Sequence, residues 1–533
     1  MPRKRSRITV VDDDEPAVAS QAAPQRKDKT AKKAKKAKSK AERAATDGAA
    51  AGGSAAVAPP PSLFRSTDTS KVADTRELGA EMLGWMLAPM HPQQFFDEHW
   101  EQQPCLIRRP ESPAYYADCF CKADLEKLLA DGKLTFEHDL DITEYRGGNR
   151  STFNGSGVVD GAQAWAKYEQ GCSLRMLCPH AHSPKVWHLL SSLEHAFGSF
   201  VGANMYLTPA GTQGFAPHYD DIEAFVLQLE GSKEWLVYPP ISAEETLPRT
   251  SSKDLTHTDI GQPVMSVTLQ AGDMLYFPRG WVHEAKSSPD THSLHLTVST
   301  ALRNTWRDLL ELALPGALDA AAADDIDFRQ TLPPDMREHM GVMHSNIDDP
   351  EAAAASGAGG AEAAELAESR RYFHAKVMEL VEKCMQPEYL NVDGAVDEMI
   401  RENLRSRMPP AFSASAAAKA AKAAGGVTPQ TLVRLVRHDV AQLASGQGGV
   451  TVYHCAGNTT RYQQAEEGKQ DFPFQVAEAI EYLIKAYPSW TAVEDLPVGE
   501  SDENDDDGED DEEGAVLEAC RSLVSCGVLA GRS

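Results

Sequence analysis

The sequence predicts an α+β chain: an antiparallel jelly-roll or sandwich core, helices on either side of it, and a small winged-helix-like module at the end. Three observations lead there. Between Gly202 and Leu302 the runs NMYLTP, EAFVLQLEG, KEWLVYPP, VMSVTLQ, DMLYFPRG and HSLHLTVSTAL are short, β-branched and aromatic. They are separated by Gly, Pro and Asp with no amphipathic helix between them, which is the texture of a closed antiparallel sheet. After Arg303 the apolar residues recur at helical spacing, and the last hundred residues mix strand-like and helix-like runs.

Taken in order, residues 1–70 are a basic tail of Ala, Lys, Pro and Gly that is expected to be disordered. Residues 75–175 open the globular part: LGAEMLGWMLAPMHPQQFFDEHWEQQPCLIRR has helical spacing and then a β-like CLIRR, and a second helix is expected near Leu125 to Leu134. The barrel is assigned to 176–318. Residues 319–425 read as a helical segment, with YFHAKVMELVEKCMQ and VDEMIRENLRSRM as helices, after NTWRDLLELALPGAL has opened the helical stretch. Its inserts EAAAASGAGGAEAAELAE and SASAAAKAAKAAGG have linker composition. Residues 426–533 carry a strand pair (GVTVYHC and TTRYQQA), the helices QVAEAIEYLIKAYPSW and AVLEACRSLVSCGVL, and an acidic loop between those helices.

Composition narrows the function. Of 533 residues 42% are apolar, enough for a sizeable core, and no apolar stretch approaches the ~18 residues of a membrane span. With no apolar signal region at the start, the chain is expected to be soluble and not secreted by the usual route. Nine Cys without a CxxC pair argue against a disulfide framework or zinc ribbon and fit a reducing compartment. The net charge of −27 is divided: residues Met1–Ala50 hold fourteen Lys/Arg against seven Asp/Glu, so the remainder carries −34, ten of it between Asp502 and Glu513. An acidic body repels phosphate backbones and attracts a basic protein, such as a ribosomal-protein segment or a histone tail. The basic clusters Arg3–Arg7 and Arg26–Arg43 read as a nuclear or nucleolar address, with weak RNA contact through charge.

The chemistry is concentrated in GFAPHYDDIEAFVLQLEGSKEWLVYPP and AGDMLYFPRGWVHEA. In a strand, His218 and Asp220 face the same side. His283 follows a strand and a tight PRG turn, on a strand able to lie beside the first. Two imidazoles and one carboxylate, with open positions left over, are the donor set of a non-haem Fe(II) oxygenase. His292 and His295 compete for the third ligand position, although a packing role in the last strand suits them better. Glu223 is an extra carboxylate candidate that parity turns away from Asp220.

These residues resemble the JmjC family of Fe(II)- and 2-oxoglutarate-dependent oxygenases. Within that family the chain is similar to the ribosomal oxygenases, and most to the nucleolar branch described as bifunctional lysine-specific demethylases and histidyl-hydroxylases. The likeness runs through NMYLTPAGTQGFAPHYDDIEAFVLQLEGSKEWLVYPP, GDMLYFPRGWVHEA and HSLHLTVSTALRNTW, and includes FFDEHWEQQPCLIRR and AIEYLIKAYP. It implies a double-stranded β-helix core, a helical dimerisation domain over 319–425 and a C-terminal winged helix. By matching position it implies Fe(II) at His218, Asp220 and His283, and Lys233 on the far carboxylate of 2-oxoglutarate. A solvent-facing hairpin lysine is the competing reading of Lys233. Asn204, Tyr206, Thr297 and Ser299 are candidate co-substrate contacts, with hydroxyl or amide packing as their rival. Arg175 matches a position near the substrate entrance, where a surface salt bridge is the alternative.

Two reactions remain open on the sequence: hydroxylation of a ribosomal-protein histidine, which the extent of the likeness favours, and histone lysine demethylation. A non-catalytic scaffold for chromatin or preribosomes is opposed by the complete donor set, and a cupin-type isomerase or hydrolase by the shortage of further His or Glu ligands. The partners expected are a basic protein substrate and a second copy of the chain, with no membrane.

Overall fold

The computed structural model describes residues 72–300, 303–345, 361–411, 426–446, 448–461, 467–499 and 512–532. The basic tail, most of the acidic tract and most of both low-complexity inserts lie outside the described residues.

Helix α1 (Thr75–Leu87) starts where the Asp74 carboxylate caps the Arg76 amide, and α2 (Pro92–Glu98) starts with a proline at its first turn. Strand β1 (Cys105–Ile107) and α3 (Lys122–Ala130) follow. Three strands that composition did not announce come next: β2 (Leu140–Arg146), β3 (Asn149–Thr152) and β4 (Ser173–Leu177), with α4 (Gly161–Glu169) between the last two. Helix α5 (Pro184–Phe197) is capped by Ser183 and ended by Gly198 in the left-handed region.

The expected jelly roll is present. Strands β5 (Gly202–Thr208), β6 (Glu223–Tyr238), β7 (Met265–Gln270), β8 (Met274–Phe277), β9 (Val282–Ser287) and β10 (Ser293–Thr300) join the earlier four in one antiparallel system. Its main order is β1-β8-β6-β10-β5-β4-β2-β3, and β7 and β9 pair with β6 alone.

EAFVLQLEG and KEWLVYPP, which read as two strands, form one. The first half of β6 pairs with β8 and β10, and the second half with β7 and β9. The change of partner falls at Gly231, which sits at φ +63°, and a Cβ there would lie 1.8 Å from the His292 carbonyl oxygen. Only glycine permits that approach. The near-continuous apolar run of β6 follows from burial on both faces. Phe225, Leu227 and Leu229 join the core that α1 and α5 cover, while Ala224 and Val226 pack inward with Trp235, Leu275 and Phe277.

Beyond the barrel, α6 (Trp306–Asp324) begins with a capping box of Thr305 and Asp308. A single turn, α7 (Met336–His339), precedes α8 (Ala361–Cys384) and α9 (Val392–Ser406). Helix α8 starts inside the segment read as linker: AEAAELAE consists of strong helix formers, and propensity prevails over low complexity there.

The C-terminal module holds β11 (Leu432–Leu435), β12 (Ala441–Gly446), β13 (Gly449–His454), β14 (Gly468–Phe472), α10 (Ala477–Ala486), β15 (Thr491–Ala492), α11 (Glu512–Cys526) and β16 (Leu529–Arg532). The strand orders are β15-β11-β16 and β12-β13-β14. GVTVYHC is therefore paired, but with its neighbours on either side and not with TTRYQQA; of the latter, residues 462–466 lie outside the described residues.

A buried ion network attaches this module to α5. Arg437, fully buried, meets Glu194 at 3.4 Å and Asp439 at 2.8 Å, and Arg407 also pairs with Asp439. Burial raises the Glu194 carboxyl to about 7 against the pull of both arginines.

Candidate metal centre

His218 and Asp220 lie just before β6, on an extended segment outside any regular strand. His218 exchanges both backbone hydrogen bonds with His283 on β9: its amide donates at 3.2 Å, and the His283 amide donates back at 2.8 Å. This narrow pairing sets the two imidazoles side by side, with ring centroids 4.5 Å apart. The Gly280 amide donates to the Asp220 carbonyl at 3.0 Å, so the PRG turn is fastened to the same segment. Gly280 has φ +84°, and a Cβ there would sit 2.3 Å from the Glu245 carbonyl.

Asp220 Oδ2 is 4.0 Å from His218 Nε2 and 3.8 Å from His283 Nε2, and one donor atom from each residue falls within 4.8 Å of the others. An ion with bonds of about 2.1 Å bridges donors up to about 4.2 Å apart, so one cation fits the carboxylate and either imidazole. The tautomers are fixed as well. His218 Nδ1 meets the Ala216 carbonyl at 2.8 Å, and His283 Nδ1 meets the Trp281 carbonyl at 3.1 Å. Each Nδ1 therefore carries the proton and each Nε2 offers its lone pair towards Asp220. Burial, helped by the neighbouring His218, holds His283 below the usual imidazole range, in the neutral form a metal needs.

The three donors open onto a cavity of about 730 Å³. Lys233 lies within β6 and is 5% exposed, so the competing reading of a solvent-facing hairpin lysine does not hold: EGSK resembles a turn only because Gly231 makes the kink in mid-strand. Its ammonium is 3.3 Å from Thr208 Oγ1 and has no carboxylate within ion-pair distance among the described residues. Burial alone pushes its pKa down to about 7. A buried cation without a counter-charge among the described residues, in the same cavity as a metal donor set, suits a dianion that bridges the two.

Asn204, Tyr206, Thr297 and Ser299 all line the cavity. They come from β5 and β10, where Asn204 faces Thr297 and Tyr206 faces His295 in the register. His295 lines the same cavity, stacked 4.8 Å from Tyr206, and His292 pairs with Glu230 at 3.0 Å; neither is grouped with the three donors. Glu223 is buried against Arg279 at 3.0 Å and Tyr276, away from Asp220. Arg175 lines the cavity wall and is tied to Asp141, its Nε at 2.9 Å. The salt bridge that was the alternative reading of Arg175 is present, in a shielded form. Sequence reasoning missed Asp141. Its signal was the alternation LDITEY, which places Asp141 and Thr143 on one strand face.

A second grouping, His195, His438 and Asp439, has comparable spacing. Asp439 there already faces the guanidinium groups of Arg407 and Arg437, which repel a cation.

A JmjC domain model matches residues 175–309, and a model of the Ribosomal oxygenase 1 C-terminal winged helix domain matches 406–506. Ribosomal oxygenase 1 of Gallus gallus is 41% identical over 440 residues, covering 80% of this chain and 70% of the relative. The Danio rerio protein of that name is 38% identical over 444 residues, 81% and 78% of the two chains. A protein of Branchiostoma floridae named Bifunctional lysine-specific demethylase and histidyl-hydroxylase NO66 is 38% identical over 446 residues, 81% and 66% of the two chains. Among solved structures, Escherichia coli ribosomal oxygenase YcfD is 16% identical with TM-score 0.41, covering 83% of this chain and 98% of its own.

The Lys233 environment has a consequence for pH. The unfolded lysine titrates near 10.5 and the folded one near 7, so between those values the unfolded chain binds the extra proton and stability rises with pH. Below about 7 the full cost of the buried charge is present. Urea titrations of the ligand-free protein should show Lys233→Met gaining most over wild type near pH 7 and least near pH 10. A difference that does not change with pH would contradict the assignment of a buried, unpaired ammonium.

Proposed function

The chain belongs to the JmjC ribosomal oxygenase family, and from that premise we propose that it hydroxylates a histidine of a ribosomal protein, using Fe(II), 2-oxoglutarate and O2. The observation that carries this reading is the joining of two Nε2-presenting histidines and Asp220 to a cavity whose only buried lysine lacks a carboxylate partner among the described residues. Bound there, Fe(II) with its co-substrates supplies a reaction in which C–H becomes C–OH while 2-oxoglutarate becomes succinate and CO2.

The remaining work is that of the chain. His218 and His283 present fixed lone pairs, and Asp220 adds a single negative charge that offsets part of the cation's. Lys233 holds the far carboxylate of 2-oxoglutarate, and the hydroxyl and amide groups of Asn204, Tyr206, Thr297 and Ser299 line the polar side of its bed. Trp235 and Phe277 close the inner wall to water. Arg175, oriented by Asp141, stands on the wall that meets the substrate. An acidic body favours a basic protein substrate. The relative named as a bifunctional demethylase and histidyl-hydroxylase supports a second reading, in which the same oxygen insertion at an N-methyl group of lysine releases formaldehyde.

Purified protein should convert 2-oxoglutarate to succinate only with Fe(II) and O2, and His218→Ala or Asp220→Ala should abolish the conversion. Lys233→Met should weaken 2-oxoglutarate binding by about 2–5 kcal/mol, the loss of one partner of a buried charge pair. Mass spectrometry after incubation then separates the two substrates: one oxygen gained on a histidine supports the hydroxylase, and one methylene lost from methyl-lysine supports the demethylase. Turnover that survives in the Asp220 variant would contradict the site.

We also propose that the helices after the barrel pair with a second copy. Support comes from apolar residues left exposed on α6 (Trp306, Leu310, Leu318) and α8 (Tyr372, Met378, Val381). Light scattering at micromolar concentration should give a dimer that Leu310→Glu with Met378→Glu splits; a wild-type monomer would reject it.

The basic segment is proposed as a nuclear and nucleolar address. Its charge is of the kind that import receptors and RNA read. A fluorescent fusion lacking Met1–Ala50 should leave the nucleolus while 2-oxoglutarate turnover in vitro stays intact; a truncated fusion still concentrated there would count against it.

A further inference from the structure

Part of the cavity wall is the short connection between β4 and α5. It contains Cys178, a single 3-10 turn at Pro179–Ala181, and His182. Cys178 and His180 both line the cavity. The turn closes its own backbone hydrogen bonds, from the Ala181 amide to the Cys178 carbonyl at 2.8 Å and from the His182 amide to the Pro179 carbonyl at 3.1 Å. Cys178 sits at φ +46°, a left-handed conformation that a residue with a Cβ adopts only where the surroundings impose it.

The surroundings include the C-terminal module. Arg461, in the loop after β13, reaches Asp139 at 2.8 Å. Asp139 is fully buried and accepts at the same oxygen, Oδ1, from His182 Nε2, also at 2.8 Å. Its other oxygen takes the Thr135 amide and hydroxyl, both at 2.9 Å, and its carbonyl accepts the Leu177 amide at 2.8 Å. Burial raises the Asp139 carboxyl, but His182, Thr135 and Arg461 together bring it below its ordinary value, so it is a carboxylate. The loop that carries Arg461 is itself anchored. Asn458 Nδ2 donates to the Leu404 and Arg407 carbonyls, both at 2.8 Å. On the other side of the turn, α5 is held by the Arg437–Glu194 pair. The module thus meets the connection itself through Asp139 and His182, and meets α5 further along through Glu194.

We propose that Arg461 is a positioning residue for the protein substrate, acting through Asp139 and His182 on the cavity-lining turn, and that the C-terminal module serves the reaction as a brace for that wall. Arg461 touches neither the metal donors nor Lys233. Removing it takes away the guanidinium that faces the buried Asp139 carboxylate and loosens the turn, while the triad, carried by a different pair of segments, stays where it is. The inference rests on the histidyl-hydroxylase reading only for the choice of substrate.

The test uses the full chain as Arg461→Met, Arg461→Lys and His182→Gln, the last breaking the same link from the turn side. Hydrogen exchange over 177–183 needs no substrate and should accelerate in Arg461→Met and His182→Gln. The KM for a histidine-containing ribosomal peptide should rise roughly tenfold, equivalent to about 1.4 kcal/mol of lost positioning. Succinate formation in the absence of peptide should remain at the wild-type rate, and Arg461→Lys should recover most of the KM. Unchanged exchange and KM would overturn the proposal, and so would a fall of peptide-free turnover in step with thermal stability, which marks a purely structural role. If no peptide is hydroxylated even by wild type, the substrate reading fails, and the exchange data alone decide the brace.

Discussion

The site depends on one strand that has to belong to two sheets. β6 runs sixteen residues, changes partners at Gly231 and is buried on both faces for much of its length. Because it continues through the kink, its second half lies against β9, which carries His283, while its N-terminal end follows directly from the HYD segment. The metal donors and Lys233 are thereby fixed to one element and its immediate neighbour. A side chain at 231 would collide with the His292 carbonyl and separate β6 from β10, removing the wall that holds Thr297 and Ser299.

The buried charges around this framework fall into two kinds. Glu223 with Arg279, and Glu194 with Arg437 and Asp439, are satisfied inside the protein and serve to fix one element on another. Lys233 is of the other kind. It has a hydroxyl for company and no carboxylate among the described residues, and burial depresses its pKa for that reason alone. An arrangement that is costly without a ligand and neutralised by one is the physical mark of a binding group. The two imidazoles complement it: their Nδ1 protons are committed to backbone carbonyls, which leaves Nε2 with no use other than coordination.

How much of this could be read beforehand depended on the range of the signal. His218, Asp220 and His283 were legible because local spacing and a tight turn bring them together, and the jelly roll because six apolar runs crowd one hundred residues. Strand β3 was not legible, since Asn149–Thr152 is exposed throughout and carries no hydrophobic alternation. EAFVLQLEG and KEWLVYPP read as two strands because glycine next to serine and lysine is turn composition, and only the tertiary contact of Gly231 with His292 shows one continuous strand. AEAAELAE misled for the opposite reason, its helical propensity being hidden by the Ala/Gly tract before it. Arg461 was out of reach, because its role comes from a partner distant in the chain.

The account stands or falls on whether one ferrous ion and one 2-oxoglutarate meet in this cavity. The most direct measurement is an anaerobic titration of the full chain with Fe(II) and 2-oxoglutarate, followed by visible absorption. A 2-oxo acid chelated to Fe(II) gives a metal-to-ligand charge-transfer band that neither component gives alone. The band should appear only with both present, saturate at one of each per chain and be lost in Asp220→Ala. A folded wild-type protein that gives no band, or a band that survives the Asp220 substitution, would contradict the account.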